Sequence, residues 1–386
     1  MDNHSDQWPK KRNVLLIYRR MIPSLRLCGH CQMQELAAQG KAAYRAVQEM
    51  HLTNADMNWA DIVLLGRLDS WYESRLVKAL RKAGKRLVYV IDDDLLCVPR
   101  EVNSFFYYGQ KEIHGFIRGM IDRSDVILSP SPLLLQKYAV DGRKAVQIEE
   151  PAVDPVPYEP HDQANPVKIG FAGSIDRISD IETILKDALL QIRREYGEKV
   201  VFEFFGAIPS FAGELNAKCI PYTESYDDYR KMLNEVAWDI GLAPMPDTPF
   251  HACKHYNKFV EYAAAGITGI FSQVYPYTRI PAFQSGAVLC ENSAEAWIGA
   301  IRAMLNDREK LEDKRKTASA IANGLLSVKT CSQSFWREME AIQLSPVPTG
   351  RIREPLLYEK TMNIVQRGKT FIRKKLLIRK ASRSGR

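Results

Sequence analysis

Short apolar segments alternate with longer helical patterns along most of the chain, and this alternation limits its fold more than any other feature. Each apolar segment spans three to six residues and is apolar at successive positions, as in a strand buried on both faces of a parallel sheet. The predicted strands are Val14–Tyr18, Asp61–Leu65, Arg86–Ile91, Val126–Leu128, Val167–Phe171, Val200–Phe205, Ile240–Ala243, Gly269–Phe271 and Ala287–Leu289. The predicted helices include Trp71–Ala83, Ile181–Tyr196, Tyr226–Glu235 and Ala294–Leu305. This alternation predicts an α/β protein with doubly wound layers.

A proline-rich segment interrupts the alternation once. Four of the ten residues 151–160 are proline, which disfavours helix and predicts an extended linker. A new predicted strand starts directly after Pro166. We therefore expect two Rossmann-like domains, residues 1–160 and 161–330, that face each other across a cleft, with a helix at 331–350 that returns to the first domain.

Positive charge is concentrated at the end of the chain. The whole chain carries a net charge of +8, whereas residues 351–386 contain twelve Lys and Arg against two Glu and so carry +10. Residues 1–350 are therefore at −2, which removes the usual reason to interpret a basic protein as a nucleic-acid binder. With 46% hydrophobic and 26% charged residues, the composition also excludes a mainly disordered chain.

The sequence contains no signal for export or membrane insertion. The first twenty residues, MDNHSDQWPKKRNVLLIYRR, lack the apolar core of a secretory signal, and no run reaches the roughly 18 apolar residues that span a bilayer. Among seven scattered cysteines, Cys28 and Cys31 form a CxxC pair, but no second pair follows at a zinc-binding spacing. We expect reduced thiols, no bound metal and a cytoplasmic protein.

The turn after the predicted strand Val167–Phe171 has features of a phosphate-binding loop. Gly173 lets backbone amides approach a ligand closely, Arg177 can pair with a phosphate, and the following helix presents its positive N-terminus. Ser174 lies between them and is predicted to bind the same ligand. The turn has neither a GxGxxG pattern nor a Walker lysine, so an ordinary strand–turn–helix connection is the alternative.

A second cluster follows the predicted strand Ile240–Ala243. Lys254, Lys258 and Glu261 are spaced three and four residues apart, which predicts one face of a helix. Gly266 suits the position just past the end of that helix. Two cations and a carboxylate near a helix start suit a diphosphate and a ribose diol, respectively. An exposed helix with two ion pairs is the alternative.

This part of the chain resembles the donor-sugar half of GT-B glycosyltransferases, specifically the large family-four group, also called glycosyl transferases group 1. The matching segments, in the order found in that group, are KIGFAGSIDR, FEFFGAI, DIGLAPMPDTPF, KHYNKFVEYAAAGI and ENSAEAW. The resemblance covers residues 165–315, whereas the first half of the chain is similar only in its architecture. It implies a GT-B fold and the transfer of a sugar from a nucleotide-sugar donor.

The resemblance also implies a role for each matching residue. Gly173 and Arg177 would contact the donor diphosphate, with Lys254 or Lys258 assisting. Glu261 matches the second glutamate of the group's pair, which binds the ribose hydroxyls of the nucleotide.

One departure from the group's pattern bears on the sugar. The first glutamate of the pair lies eight positions before the second and handles the sugar ring, but this chain has Cys253 there. The identity of the sugar is therefore open, and so is the alternative of a non-catalytic scaffold derived from a transferase.

Three aspartates, Asp92, Asp93 and Asp94, follow the predicted strand Arg86–Ile91. At the carboxyl end of a parallel strand they point towards the predicted cleft, so Asp92 and Asp94 are the predicted catalytic residues, as an acceptor-hydroxyl base or binding group. One alternative is the metal-binding DxD of the other large glycosyltransferase fold, and another is a turn rich in helix-capping Asp. The second Rossmann-like half argues against the DxD fold, so we expect no metal.

The basic segment 351–386 mixes Lys and Arg with apolar residues, as in an interfacial helix on an anionic membrane. The alternatives are a disordered arm that binds RNA and a solvated terminus with no partner. Together these features predict a glycosyltransferase of bacterial-type surface polysaccharide biosynthesis that acts on a sugar or lipid-linked acceptor at the inner face of the membrane. A nucleotide-sugar epimerase of the same architecture is a further alternative.

Overall fold

A computed structural model of the protein describes residues 12–162, 165–279, 283–341 and 352. The chain divides into two compact units. One unit runs to Gln147 and takes up the chain again from Phe335, and the other comprises Ile148–Ser334.

The proline-rich segment packs within the second unit. The amide of Ala152 donates to the carbonyl of Leu326 at 2.7 Å, and that of Val156 donates to the carbonyl of Ala264 at 2.8 Å. These bonds tie the segment to the unit that follows it. The division between the units therefore precedes the prolines, whereas the predicted boundary lies after residue 160.

The first unit is built on a six-stranded parallel sheet. Its strands, β1–β6, are Asn13–Tyr18, Ala43–Gln48, Ile62–Gly66, Arg86–Val90, Val126–Ser129 and Lys144–Gln147. Its helices, α1–α7, are Pro23–Leu25, Cys31–Ala38, Asn54–Trp59, Trp71–Lys82, Phe105–Tyr108, Lys111–Arg123 and Pro132–Tyr138. The strand order is β2-β1-β3-β4-β5-β6. Because the order reverses between β1 and β3, the carboxyl ends of these strands form the switch point at which such sheets bind ligands.

The second unit repeats this arrangement. Its strands, β7–β12, are Val167–Gly173, Val200–Gly206, Lys218–Ile220, Ile240–Ala243, Thr268–Ser272 and Ala287–Cys290. The helices that follow, α8–α16, are Ile178–Ile184, Lys186–Tyr196, Tyr226–Glu235, Pro249–Ala252, Asn257–Ala264, Phe283–Gly286, Ala294–Asn306, Arg308–Asn323 and Val328–Ala341. The division between the units falls within α16, at Phe335. The strand order is β12-β11-β10-β7-β8-β9, and all pairs are parallel. The switch point lies between β7 and β10.

The two sheets confirm the predicted fold class, and each of the nine predicted strands is present. The pattern misses β2, β6 and β9, which are edge strands of their sheets. Edge strands are partly solvated, so they lack the continuous apolar run that identifies a central strand. In β9, for example, Lys218 and Cys219 are exposed.

Two predicted helices differ from those observed. The predicted helix Ile181–Tyr196 is broken at Leu185 into α8 and α9. Lys254 lies in a turn before α12 rather than on it, because Thr248 caps a separate short helix, α11, and the chain then turns at Cys253. The prediction that Lys254 shares one helix face with Lys258 and Glu261 is therefore wrong.

The basic segment 351–386 lies outside the described residues, except for Ile352. The amide of Ile352 donates to Asn58 Oδ1 at 3.0 Å, and Asn58 Nδ2 donates to the Ile352 carbonyl at 3.3 Å, within the first unit. Across the described part of the chain, no helix combines the length and apolarity required to cross a bilayer.

Two glycines at the centre of the second sheet make room for two large aromatic side chains. Gly170 of β7 and Gly241 of β10 are paired in register. A Cβ at Gly170 would lie 2.1 Å from the buried Trp238 ring, and a Cβ at Gly241 would lie 2.5 Å from the Tyr262 ring. The Tyr262 hydroxyl donates to the carbonyl of Leu242 at 2.9 Å. The glycines thus let two rings pack directly on the strands that carry the switch point.

We expect Gly170→Ala to lower the free energy of unfolding by about 1–3 kcal/mol, because the methyl group overpacks the Trp238 ring. Thermal unfolding followed by circular dichroism measures the effect. Gly299→Ala is the matched control, since a Cβ at this helical glycine meets nothing within 4 Å, and alanine favours helix. Equal unfolding midpoints for the two variants would contradict the packing argument.

Candidate functional site

The turn after β7 exposes backbone at the switch point of the second sheet. Gly173 ends β7 in register with Gly206 at the end of β8. The two backbones approach so closely that a Cβ at Gly206 would lie 2.3 Å from the Gly173 carbonyl oxygen. Ser174, which follows, is exposed. This edge of the sheet is therefore open to the close approach of a ligand.

The Arg177 guanidinium is held by a carbonyl just after β10 and by a carboxylate on α8. Its Nη2 donates to the carbonyl of Pro244, directly after β10, at 2.8 Å. Its Nη1 lies 3.1 Å from Asp180 Oδ2. Burial raises the pKa of Asp180, against the opposing charges of Arg177 and Lys254. Arg177 and Lys254 thus approach one carboxylate, and this group of three residues carries one excess positive charge.

Lys258 and Glu261 form a second group, one turn apart on α12. Lys258 Nζ lies 2.7 Å from Glu261 Oε2, and the Tyr229 hydroxyl on α10 donates to the same oxygen at 3.0 Å. Burial raises the pKa of Tyr229, and the Glu261 charge raises it further, so the phenol stays a donor. The six predicted donor-binding residues therefore lie at the end of β7 and its turn, in the α11–α12 turn and on α12, and the four charged ones form two groups.

The carboxylate of Glu149, just before the proline-rich segment, contacts the turn before α12. The Tyr256 hydroxyl donates to Glu149, while Arg279 Nη2 and His255 Nε2 each lie 3.5 Å from its carboxylate oxygens. Burial raises the pKa of Glu149, but these hydrogen bonds and charges outweigh it and leave the pKa lowered. Glu149 lies far from this turn in sequence, so no spacing pattern indicates the contact. Buried Cys253 lies in the same turn.

The two predicted catalytic aspartates have different cationic partners. Asp92 Oδ2 accepts from Arg67 Nη1 at 3.0 Å. Asp94 is buried, with its Oδ2 2.6 Å from Lys137 Nζ, and it also accepts from the Tyr138 hydroxyl. The carboxylates are thus held apart by separate ion pairs. A catalytic role for either one stays a prediction.

The switch point of the first sheet holds a charge cluster that the sequence pattern did not indicate. Arg19 follows β1, while Arg67 and Asp69 follow β3. Arg19 Nη1 donates to Asp69 Oδ1 at 2.9 Å, and the hydroxyls of Tyr107 and Tyr108 on α5 donate to the two Asp69 oxygens at 2.9 and 3.3 Å. Arg67 has a φ of 55°, a left-handed conformation that few non-glycine residues adopt.

Burial makes Asp69 an unusually weak acid. Its pKa is raised to about 6, chiefly by desolvation and next by the charge of Glu73, against the opposing charge of Arg19. Glu73 Oε2 accepts from the amides of Asp69 and Ser70 at 2.6 Å, in the capping box that starts α4. The Ser-x-x-Glu spacing of this box is the signal by which the sequence could have located the cluster.

His30, in the CxxC segment, is also perturbed. Its Nδ1 lies 2.7 Å from the Tyr44 hydroxyl, and its pKa is lowered to about 4 by burial and then by Arg26. The flanking Cys28 and Cys31 are buried.

His161, Asp239 and Glu312 have the residue types of a metal site and lie within reach of one another. The Arg315 guanidinium contacts two of the three: it donates to Glu312 at 2.7 and 2.9 Å and lies 2.8 Å from His161 Nε2. The other ring nitrogen of His161 lies 2.7 Å from Asp239 Oδ1. This cluster therefore fits an ion-pair network that ties the end of the proline-rich segment to α15, and it does not fit a metal ion.

We expect Asp69 to contribute a part of the free energy of unfolding that falls as the pH rises from about 4 to about 6. Asp69 loses its proton near 3.8 in the unfolded chain and near 6 in the native protein, so the native state binds more protons across this window. Asp69→Asn removes this titration, so its free energy of unfolding, measured with urea, should rise with pH relative to that of the unchanged protein. Asp313→Asn, at an exposed position, is the control, and an unchanged slope in Asp69→Asn would contradict the assignment.

No family profile matches the chain, and no curated protein matches it. Solved structures do. HepE of Anabaena, in complex with UDP and glucose, superposes with a TM-score of 0.58 at 12% identity, over 86% of this chain and 100% of its own. Sucrose-phosphate synthase of Thermosynechococcus elongatus gives the same values. A Listeria monocytogenes protein described as a UDP-N-acetylglucosamine 2-epimerase gives 0.51 at 12% identity, over 89% and 100%. The two parallel sheets and these matches show that the chain has the GT-B glycosyltransferase fold.

Proposed function

We propose that the protein transfers a sugar from a nucleotide-sugar donor to an acceptor in bacterial-type surface polysaccharide biosynthesis. The observation that carries this proposal is the pair of charged groups at the switch point of the second sheet, Arg177 with Lys254 and Lys258 with Glu261. HepE of Anabaena was solved with UDP and with UDP-glucose, which supports a uridine nucleotide as the donor class.

The chemistry needs positive charge beside the leaving diphosphate. Arg177, Lys254 and Lys258 supply three cations from two loops and a helix start, where they stabilise charge that develops as the glycosidic bond breaks. Gly173 and Ser174 leave room for the phosphates to contact backbone amides. The sugar is positioned rather than activated by a cofactor.

Glu261 is assigned to the nucleotide ribose. Its carboxylate already accepts from the Tyr229 hydroxyl and from Lys258, so it is oriented and charged to accept hydrogen bonds from a diol. The same Lys258 ammonium is then next to both ribose and diphosphate.

We assign the acceptor to the first unit, at the carboxyl ends of β1, β3 and β4. Asp92 is the hydroxyl-binding group and base in this proposal, with Asp94 behind it and the Asp69 cluster beside Arg67. The separate pairing of Asp92 with Arg67 and of Asp94 with Lys137 supports a reaction without a divalent cation, because neither carboxylate is left to share an ion with the other.

Two observations each favour a second function. The Listeria match supports a nucleotide-sugar epimerase, which would convert the donor without an acceptor. Cys253, where the resembling group has a glutamate, supports a scaffold that has lost catalysis. Incubation with a nucleotide-sugar and no acceptor, followed by chromatography, tests for the epimerase, which would yield an epimerised sugar. A lack of nucleotide binding would instead indicate the scaffold.

We expect Glu261→Gln to weaken UDP binding by about tenfold or more, since a charge-assisted hydrogen bond to the ribose is lost. Isothermal calorimetry with UDP measures the change, and the unfolding midpoint checks the fold. Glu235→Gln, at an exposed position on α10, should bind UDP as the unchanged protein does. Unchanged affinity in Glu261→Gln would exclude this residue from the donor site.

The basic tail is proposed to hold the enzyme at an anionic membrane surface. Truncation after Ile352 keeps the contact with Asn58 and removes eleven of the twelve basic residues of the segment 351–386, leaving only Arg351. This variant should lose most of its co-sedimentation with vesicles of phosphatidylglycerol and phosphatidylcholine, while UDP affinity stays the same. Neutral phosphatidylcholine vesicles are the control, and equal sedimentation of both proteins with anionic vesicles would refute a membrane role.

A further inference from the structure

A groove lies beside the edge strand of the second sheet, away from the two charged groups assigned to the donor. Its floor is formed by α14 and α15, and its side by β12. The cavity measures about 430 Å³, which is within the roughly 300–1,000 Å³ range of small-molecule sites. Its wall is mainly apolar and includes Leu289, Met304 and Leu311.

A lysine covers the open edge of β12. Because the Gln273 amide donates to the Cys290 carbonyl, the alternation of a parallel strand directs the carbonyls of Ala287 and Leu289 away from β11. Lys314 Nζ donates to the Ala287 carbonyl at 3.0 Å. A lysine in this position opposes the pairing of another strand, so the groove suits a small molecule better than an added peptide strand.

Two positive charges line the groove. Lys310 and Lys314 are one turn apart on α15, and both line the cavity. Burial lowers the pKa of Lys314, and the charge of Lys310 lowers it further. Like charges at this spacing repel, and an anion between them would relieve the repulsion.

We infer that this groove binds a single-chain anionic amphiphile of the fatty-acid type. The apolar chain would lie against Leu289, Met304 and Leu311, and the carboxylate would lie beside Lys310 and Lys314. The combination of apolar side chains with two cations on one helix is the complement of such a molecule. The site shares no residue with the proposed transferase machinery, so it stands apart from the proposed function.

The test is calorimetric titration of the full-length chain with decanoate, below its micelle concentration. We expect saturable binding, with decanol and inorganic phosphate each at least about tenfold weaker because each lacks one half of the complement. Lys310→Gln should weaken decanoate about tenfold, and Ala303→Trp, at an exposed position on the cavity wall, should abolish binding by filling the groove. Lys316→Gln, exposed on the same helix but outside the cavity, is the matched control and should bind normally.

Three results would overturn the inference: no saturable binding of decanoate, equal affinity for decanol, or equal affinity of the Lys310→Gln and Lys316→Gln variants. Ala303→Trp keeps the test decisive if decanoate binds elsewhere, since binding that survives a filled groove cannot occur in it. Unfolding midpoints of the variants report whether a loss of binding reflects a loss of fold.

Discussion

The reversal of strand order within each parallel sheet is the constraint on which the sites depend. When a sheet grows in one direction from β1 or β7 and then in the other, the loops on either side of the switch point diverge and leave polar groups at the carboxyl ends. In the second unit this brings the β7 turn next to the end of β10, where Arg177 bonds to Pro244. In the first it brings Arg19, after β1, next to Asp69, after β3.

Both switch points meet the same electrostatic requirement, which is to stabilise ionised groups that lie partly out of bulk water. Carboxylates at partly dry strand ends need cations and hydroxyl donors, and the chain supplies them from elements distant in sequence. Asp69 receives Arg19 and two tyrosines, yet its pKa remains raised because burial and Glu73 outweigh them. Glu261 receives Lys258 and Tyr229. The charged side chains of such a site are oriented before a nucleotide-sugar enters, which is the basis of the proposed donor role.

Cys253 stands where the resembling group has a glutamate, and the fold shows what surrounds it. The turn that carries it is tied to Glu149 through His255 and Tyr256, so a carboxylate is present near this turn although none occupies position 253. Glu149 comes from the segment that precedes the second sheet, and the same segment packs on that unit through Ala152 and Val156. The stretch that sequence composition predicts to be a linker is therefore an integral part of the second unit.

The sequence by itself determined the fold class and nine of the strands, because buried parallel strands and glycine-bounded turns leave local patterns. Tertiary structure decided the rest. It placed Lys254 in a turn, paired Asp92 and Asp94 with different cations, and assembled the Asp69 cluster and the lysine-capped groove beside β12. These features depend on contacts between residues tens of positions apart, and on burial that shifts pKa values, neither of which has a periodic signature in the chain.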